Sequence, residues 1–183
     1  MLHSAHHNLT PMAPPPDGAM LYIHVPFCRT RCIYCDFYST TCSSEVRVSY
    51  LQALCRELQA RRGELPNTRL ATLYLGGGTP SQLAPSELTQ IFAAVRAHYD
   101  LLPGAEITLE ANPDDVTPQW VDAVQALGVN RVSLGVQSFH DALLRTLRRR
   151  HTARQATEAV QRLRAGGIDN ISIDLMYGLP EQD

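Results

Sequence analysis

Apolar and polar residues follow two rhythms along the chain, and these rhythms alternate. Short runs of apolar and β-branched residues, typical of buried strands, are followed by longer segments with apolar residues every three or four positions, typical of amphipathic helices. Helices are predicted to begin near residues 45, 85, 118 and 153, with a short helical piece near Leu143. Strands are predicted at 20–25, 71–75, 105–110, 131–136 and 170–175.

Two of the helices carry clear starting signals. Thr117 is a predicted N-cap that precedes Pro118, and proline is common in the first turn of a helix. Thr152 and Gln155 form a predicted capping box, in which each side chain bonds to the backbone of the other. Strands that alternate with helices predict a parallel α/β sheet with right-handed crossovers. A partial (β/α) barrel and a doubly wound sheet both fit this pattern.

The two ends of the chain depart from the alternation. Residues 1–19 contain several histidines and prolines without apolar periodicity, which predicts a disordered N-terminal tail followed by one domain at 20–183. Residues 178–183 form a predicted loop after the fifth strand, with no helix to cover that strand. We therefore expect the domain to be incomplete, with its C-terminal part missing.

Composition narrows the class of protein. The 183 residues are 44% hydrophobic and 19% charged, with a net charge of −2, so no global charge favours a nucleic-acid partner. No apolar run approaches the roughly 18 residues of a membrane span. The N-terminal segment lacks both the apolar core of a secretion signal and the arginines of a mitochondrial one. A cytoplasmic protein with no nucleic-acid partner is expected.

Three of the five cysteines, Cys28, Cys32 and Cys35, lie within eight residues. Thiolates at this spacing can bind three irons of a cubane [4Fe–4S] cluster, which normally has four cysteine ligands. Without an evident fourth cysteine, the fourth iron would be open to a small molecule. The alternatives are a zinc site, which usually has paired C-x2-C units and a further ligand, and inert buried cysteines. Cys55 is expected in the core, and no role is assigned to Cys42.

Further unusual polar motifs each follow a predicted strand. In parallel α/β folds the active site lies at the carboxyl ends of the strands, so these motifs and the cysteine loop predict one shared site. The motifs are Gly76–Pro80, Glu110–Pro113, Gln137–Ser138 and Asp174.

Each of these features also has a plainer interpretation. The loop Gly76–Pro80 is either a tight connector or a segment whose backbone approaches a ligand closely. Glu110 is either an exposed or paired carboxylate or an acceptor for ribose hydroxyls. Asp174 lies between core-type residues and needs partners if it is buried. Arg149 is either a surface arginine or a source of positive charge in the site.

Together the motifs resemble the oxygen-independent coproporphyrinogen III oxidase family of radical S-adenosylmethionine (SAM) proteins. The resemblance implies a partial parallel (β/α)6 barrel of the radical SAM type, truncated here after about the fifth strand. The segments that carry it are Tyr22–Cys28, the cysteine loop, Gly76–Pro80, Leu109–Pro113, Gly135–Phe139 and Ile173–Pro180.

The resemblance also implies a cofactor set. Cys28, Cys32 and Cys35 would bind a [4Fe–4S] cluster, and SAM would occupy its open iron. Tyr34 would lie near the SAM adenine, and some contacts would serve a second SAM molecule. No catalytic residue is assigned. The implied SAM contacts are Tyr22, Tyr34, Gly77, Gly78, Thr79, Glu110, Gln137, Arg149 and Asp174.

One departure separates two branches of this family. The oxidases continue the motif with a further cysteine two residues after the third, whereas Asp36 and Phe37 follow Cys35 here. This arrangement resembles the heme chaperone branch, HemW, whose members bind heme and deliver it to hemoproteins.

The HemW resemblance implies heme or porphyrin as cargo, recipient hemoproteins, and an electron donor of the flavodoxin or ferredoxin type. Membrane contact would arise only through a recipient, and the heme-binding residues would lie beyond Asp183. The first alternative is an active coproporphyrinogen III oxidase, which converts propionates into vinyl groups. The remote alternative is a zinc-binding interaction module.

Overall fold

The computed structural model describes residues 18–64 and 67–182. Within these residues, five parallel strands form one sheet, and their order in the sheet is their order in the chain. The strands are β1 (Ala19–Val25), β2 (Arg69–Gly77), β3 (Asp100–Ala111), β4 (Arg131–Gln137) and β5 (Asn170–Leu175). The helices are α1 (Ser44–Arg61), α2 (Pro85–His98), α3 (Pro118–Ala126), α4 (Asp141–Thr146) and α5 (Ala153–Ala165).

The sequential strand order decides between the two predicted architectures. A doubly wound sheet reverses its strand order at a switch point, whereas here every neighbouring pair of strands is also consecutive in sequence. The sheet is therefore part of a (β/α) barrel, and the predicted fold is confirmed.

The two faces of the sheet differ because successive side chains in a strand point to opposite sides. Leu73, Leu109 and Leu134 on one face are fully buried in a common core with Phe92 of α2 and Leu163 of α5. The opposite, inner face carries mostly polar and aromatic side chains instead, several of them exposed or half-buried. This face and the strand ends above it remain accessible to a ligand.

The predicted helix starts are confirmed. The Thr117 hydroxyl accepts the Trp120 backbone N–H at 3.1 Å. Thr152 accepts the Gln155 backbone N–H at 3.2 Å, and the Gln155 side chain accepts the Thr152 backbone N–H at 2.8 Å. These caps satisfy N–H groups that have no partner within the first turn.

Two local predictions need correction. Strand β3 begins at Asp100 rather than residue 105, because Asp100 and Leu101 already pair with the start of β2 before the register shifts. Pro103 and Gly104, residue types that are uncommon inside strands, conceal this pairing in the sequence. Cys55 is half-buried rather than fully in the core, and Gln90 donates to its sulfur at 3.8 Å.

The predicted tail at 1–19 lies outside the described residues as far as residue 17, and Ala19 already belongs to β1. In the described ranges, no helix combines the length and the apolar character that crossing a membrane requires.

Candidate functional site

The carboxyl ends of all five strands surround one cleft with a volume of about 230 Å³. All twelve residues that the family resemblance implies as ligands of the cluster or contacts of SAM line this cleft, although the molecules that they bind remain predictions. They are Tyr22, Cys28, Cys32, Tyr34, Cys35, Gly77, Gly78, Thr79, Glu110, Gln137, Arg149 and Asp174.

The cysteine loop is closed at its base by backbone hydrogen bonds. The Cys28 N–H donates to the Thr40 carbonyl at 3.0 Å, and the Thr40 N–H donates to the Pro26 carbonyl at 2.7 Å. Pro26 has no N–H with which to continue the pairing of β1, so the chain leaves the sheet here. Within the loop, the Cys35 N–H donates to the Cys32 carbonyl at 3.2 Å. The loop therefore carries all three thiols to one side of the cleft.

The surroundings of the sulfurs suit metal-bound thiolates. The three loop thiols are free and half-buried. The Thr79 hydroxyl lies 3.5 Å from the Cys28 sulfur, and Arg149 donates to the Cys32 sulfur at 3.7 Å. A hydroxyl and a guanidinium can each donate a hydrogen bond to a metal-bound sulfur. The donor set thus fits a cluster with three protein ligands.

A zinc ion and a cubane cluster make different demands on the positions of their ligands. Zinc needs four ligands within about 2.3 Å of one point. In the part of the chain that the structure describes, no three His, Cys, Asp or Glu side chains are grouped to hold a single metal ion. A cubane binds each thiolate through a different iron, so its ligands need not converge on one point.

The glycine loop passes against the cysteine loop. The Gly78 N–H donates to the Val25 carbonyl at 2.8 Å, and a Cβ at Gly78 would lie 2.8 Å from the Phe27 carbonyl oxygen. Gly77 has a φ of +114°, and a Cβ there would lie 2.6 Å from the His24 ring. Packing within the chain therefore already requires glycine at both positions. Contact between this backbone and a ligand remains a prediction.

Glu110 lies next to the last residue of β3, where it is a half-buried, paired carboxylate. It accepts the Tyr74 hydroxyl at 2.8 Å and the Gly77 N–H at 2.9 Å. Burial and, to a lesser degree, the hydrogen bond to Glu110 raise the pKa of Tyr74, so this phenol stays protonated and continues to donate. Each carboxylate oxygen has a second lone pair, so Glu110 retains capacity for a ligand hydroxyl.

The ends of β4 and β5 bring Gln137 and Asp174 to the cleft. Gln137 has a φ of 66°, a left-handed conformation that is uncommon outside glycine. Its carbonyl accepts the Met176 N–H at 3.0 Å, where the register between the strands shifts. The prediction that Asp174 lies among core residues is wrong: it lines the cleft and is exposed, with Ser133 Oγ 3.4 Å from its carboxylate. Its neighbours Ile173 and Leu175, on the other side of the strand, are exposed as well, because β5 is an edge strand of the described sheet.

Arg149 reaches into the cleft rather than into solvent, so the surface interpretation of this residue is wrong. Its Nη2 donates to Asn112 Oδ1 at 2.6 Å and to the Gly135 carbonyl, while its Nη1 faces Cys32. Burial raises the pKa of the neighbouring Tyr34 to about 12, so this phenol is neutral.

Residues on both sides of Arg149 hold its backbone in place. Arg148 has a φ of 55°, which re-aims the chain. Arg150 pairs with Asp114 at 2.7 Å. His151 is buried, and its Nε2 hydrogen-bonds the Val136 carbonyl at 3.0 Å. These contacts direct the intervening arginine into the cleft.

The sequence prediction missed one carboxylate that joins several loops. Asp115 has a side chain only 3% exposed, and it accepts the Ser81 hydroxyl at 2.8 Å. It also pairs with Arg150 at 3.5 Å and with Arg29 of the cysteine loop at 3.7 Å. Because these partners are distant in sequence, only the adjacent Asn-Pro motif hinted that this segment belongs to the site.

Comparison with known proteins agrees with this geometry. The radical SAM superfamily matches residues 22–183. The chain is 41% identical over 176 residues to the heme chaperone HemW of Mycobacterium tuberculosis, covering 94% of this chain and 45% of the relative. It is 38% identical over 167 residues to an oxygen-independent coproporphyrinogen III oxidase of Bradyrhizobium diazoefficiens, covering 90% and 37%.

A solved structure shares the fold closely. Coproporphyrinogen III oxidase (HemN) of Escherichia coli superimposes with a TM-score of 0.83 at 30% identity, covering 89% of this chain and 38% of that structure. The chain thus spans less than half the length of these relatives.

Proposed function

The chain belongs to the radical SAM superfamily, in the family that resembles oxygen-independent coproporphyrinogen III oxidase, and we propose from this premise that it acts as a heme chaperone. Membership implies an iron–sulfur cluster and SAM. In this proposal the chain binds heme as cargo and transfers it to hemoproteins. This assignment follows the similarity to HemW proteins, which extends over 94% of the chain for the Mycobacterium tuberculosis relative.

The cleft residues divide into two groups in this proposal. Cys28, Cys32 and Cys35 hold a [4Fe–4S] cluster, which when bound supplies one electron for cleavage of a carbon–sulfur bond of SAM. The polar residues of the strand ends hold and orient SAM beside it. Among these, Glu110 offers the unused lone pairs of a half-buried carboxylate to the ribose hydroxyls.

Other contacts complete the SAM site. The backbone of the glycine loop faces SAM, and Tyr34 packs near its adenine. Thr79 is buried against the Cys28 sulfur and so connects the two groups. The contacts to SAM are Tyr22, Tyr34, Gly77, Gly78, Thr79, Glu110, Gln137, Arg149 and Asp174, all of which line the cleft.

The presence of Phe37 in the cleft favours a chaperone over an oxidase. Phe37 occupies the position at which the oxidases have a further cysteine, and it lines the cleft itself with 69% of its surface exposed. An aromatic ring therefore lines the cleft at the position where the oxidases have a thiol. Oxidative decarboxylation depends on close placement of the substrate, and a misplacement of about 1 Å can lower the rate about a hundredfold.

A second candidate is the oxidase itself. The identity to the Bradyrhizobium oxidase is nearly as high as that to HemW, and the structural match is to an oxidase. The residues proposed to bind the cluster and SAM do not separate the two functions, because both functions require these cofactors.

An anaerobic assay separates them. The protein as its cell produces it is reconstituted with iron and sulfide and divided into two samples. One is titrated with heme and then mixed with an apo-hemoprotein, and the other receives coproporphyrinogen III, SAM and a reductant. We expect stoichiometric heme binding followed by transfer, and no protoporphyrinogen IX above background.

Two variants control this assay. Cys55→Ala alters a half-buried thiol outside the cleft and should behave as wild type. Cys32→Ala should lose the cluster. Formation of protoporphyrinogen IX by wild type but not by Cys32→Ala would contradict the chaperone assignment and support the oxidase.

A further inference from the structure

Arg149 connects the cluster loop to two strand ends through a single guanidinium group. Nη2 donates both to Asn112 Oδ1 at 2.6 Å, just after β3, and to the Gly135 carbonyl in β4. Nη1 then points to the Cys32 sulfur at 3.7 Å. Because the guanidinium is planar, two acceptors on Nη2 fix the direction in which Nη1 donates.

Contacts of the residues on both sides hold the backbone of Arg149 in place. Arg148 before it has a left-handed backbone conformation. After it, Arg150 forms an ion pair and the ring of His151 is buried and hydrogen-bonded. The Arg149 N–H itself donates to the Leu144 carbonyl at 2.8 Å. The Arg149 Nε is buried and has no hydrogen-bond partner among the described residues, so solvent does not compete for this side of the group.

We propose that Arg149 raises the reduction potential of the cluster by donating a charge-assisted hydrogen bond to the Cys32 thiolate, and that Asn112 is the positioning residue that aims it. The inference rests on the proposed assignment of Cys32 as a cluster ligand. Hydrogen bonds to cluster sulfurs and the net charge around them set the potential of iron–sulfur clusters. A donor that stabilises added negative charge favours the reduced state.

The structure assigns separate tasks to the two residues. Arg149 supplies the positive charge and the N–H group, whereas Asn112 carries no charge and contacts the sulfur only through Arg149. An effect of Asn112 on the potential would therefore report orientation and not charge. The Gly135 carbonyl still holds the guanidinium when Asn112 is removed, so this effect should be the smaller one.

The test is a redox titration of the anaerobically reconstituted protein without SAM or heme. Dithionite supplies the single electron, and the EPR signal of the reduced cluster is followed against solution potential. In Arg149→Gln we expect the ratio of reduced to oxidised cluster at a fixed potential to fall about tenfold, which is about 59 mV for a one-electron couple. Asn112→Ala should shift the ratio in the same direction by less.

Arg31→Gln is the matched control for charge. Arg31 is exposed, adjoins Cys32 in sequence, and donates to the Cys35 backbone carbonyl at 3.5 Å rather than to a sulfur. Its charge is screened by solvent, so its removal should change the ratio much less. A shift in Arg31→Gln as large as that in Arg149→Gln would overturn the proposal, because charge alone would then explain it.

The remaining outcomes are also decisive. A wild-type potential in both Arg149→Gln and Asn112→Ala, with iron retained, overturns the proposal. If Arg149→Gln cannot hold iron, Asn112→Ala decides: a lowered potential supports the proposal and an unchanged one refutes it. Loss of iron from both variants would show a purely structural role and also overturn it. Heme takes no part in this measurement, so a failed heme assay leaves it valid.

Discussion

Replacement of Glu110 tests the SAM site at its most defined contact. In the structure this carboxylate accepts one hydrogen bond from Tyr74 and one from the Gly77 backbone. Glu110→Ala removes both acceptors and any contact with SAM. Glu110→Gln keeps one acceptor oxygen and the shape of the side chain, and it removes the charge.

The expected losses follow from the number of bonds affected. One hydrogen bond to a charged group contributes about 1.5–3 kcal/mol, which corresponds to roughly a tenfold to hundredfold weaker affinity for SAM in Glu110→Ala. The Gly77 N–H also loses its acceptor, which should lower the free energy of unfolding by about 1–3 kcal/mol. Glu110→Gln should show a smaller loss of affinity and a smaller loss of stability.

The assay is a titration of the reduced cluster's EPR spectrum with SAM, alongside measurement of iron per chain. Glu106→Gln is the control, because Glu106 lies on the same face of β3 but outside the cleft, where it pairs with Arg131 at 3.9 Å. It should bind SAM as wild type does. Unchanged SAM affinity in Glu110→Ala, with iron retained, would remove Glu110 from the site.

Three further changes test how the site is supported. Gly78→Ala places a methyl group against the cysteine loop, so we expect about 1–3 kcal/mol lower stability in denaturant unfolding and less iron per chain; wild-type values for both would contradict this packing argument. Asp115→Asn weakens the contacts of a buried carboxylate with Ser81 and Arg150 and should lower the free energy of unfolding by about 1–3 kcal/mol; an unchanged value would show that these contacts are dispensable. Burial and the Arg149 charge lower the pKa of His151 from 6.5 to about 4. The unfolded chain therefore binds the proton first, and stability should fall by up to about 3 kcal/mol between pH 6.5 and 4. Urea unfolding of wild type and His151→Gln checks this, and an equal pH dependence in both would refute it.

The sequence predicted the elements and the location of the site because both depend on local patterns. The alternation of strands and helices, the caps at Thr117 and Thr152, and the polar motifs after each strand are all visible within a few residues. A parallel sheet brings the carboxyl ends of its strands together. The convergence of these motifs on one cleft could therefore be predicted without any knowledge of side-chain contacts.

What the sequence did not reveal depends on contacts between distant residues. The orientation of Arg149 is set by Asn112 and by the Gly135 carbonyl, and no pattern near the arginine indicates those partners. Asp115 similarly finds its partners in other loops. The exposure of Asp174 follows from the place of β5 at the edge of the described sheet, which a short apolar run does not specify.

Iron content across single cysteine variants decides whether the three cysteines of one loop hold the cluster. Each variant is reconstituted anaerobically and analysed for iron per chain. Wild type should bind about four irons per chain, as a single [4Fe–4S] cluster requires. The two cysteines outside the loop provide matched controls within the same chain, because both are free and half-buried like the loop thiols.

We expect Cys42→Ala and Cys55→Ala to retain the iron of wild type. Replacement of Cys28, Cys32 or Cys35 by alanine should abolish it, because all three thiols line the cleft and neither control does. Loss of iron from Cys42→Ala together with its retention in Cys35→Ala would contradict the assignment of the cluster ligands.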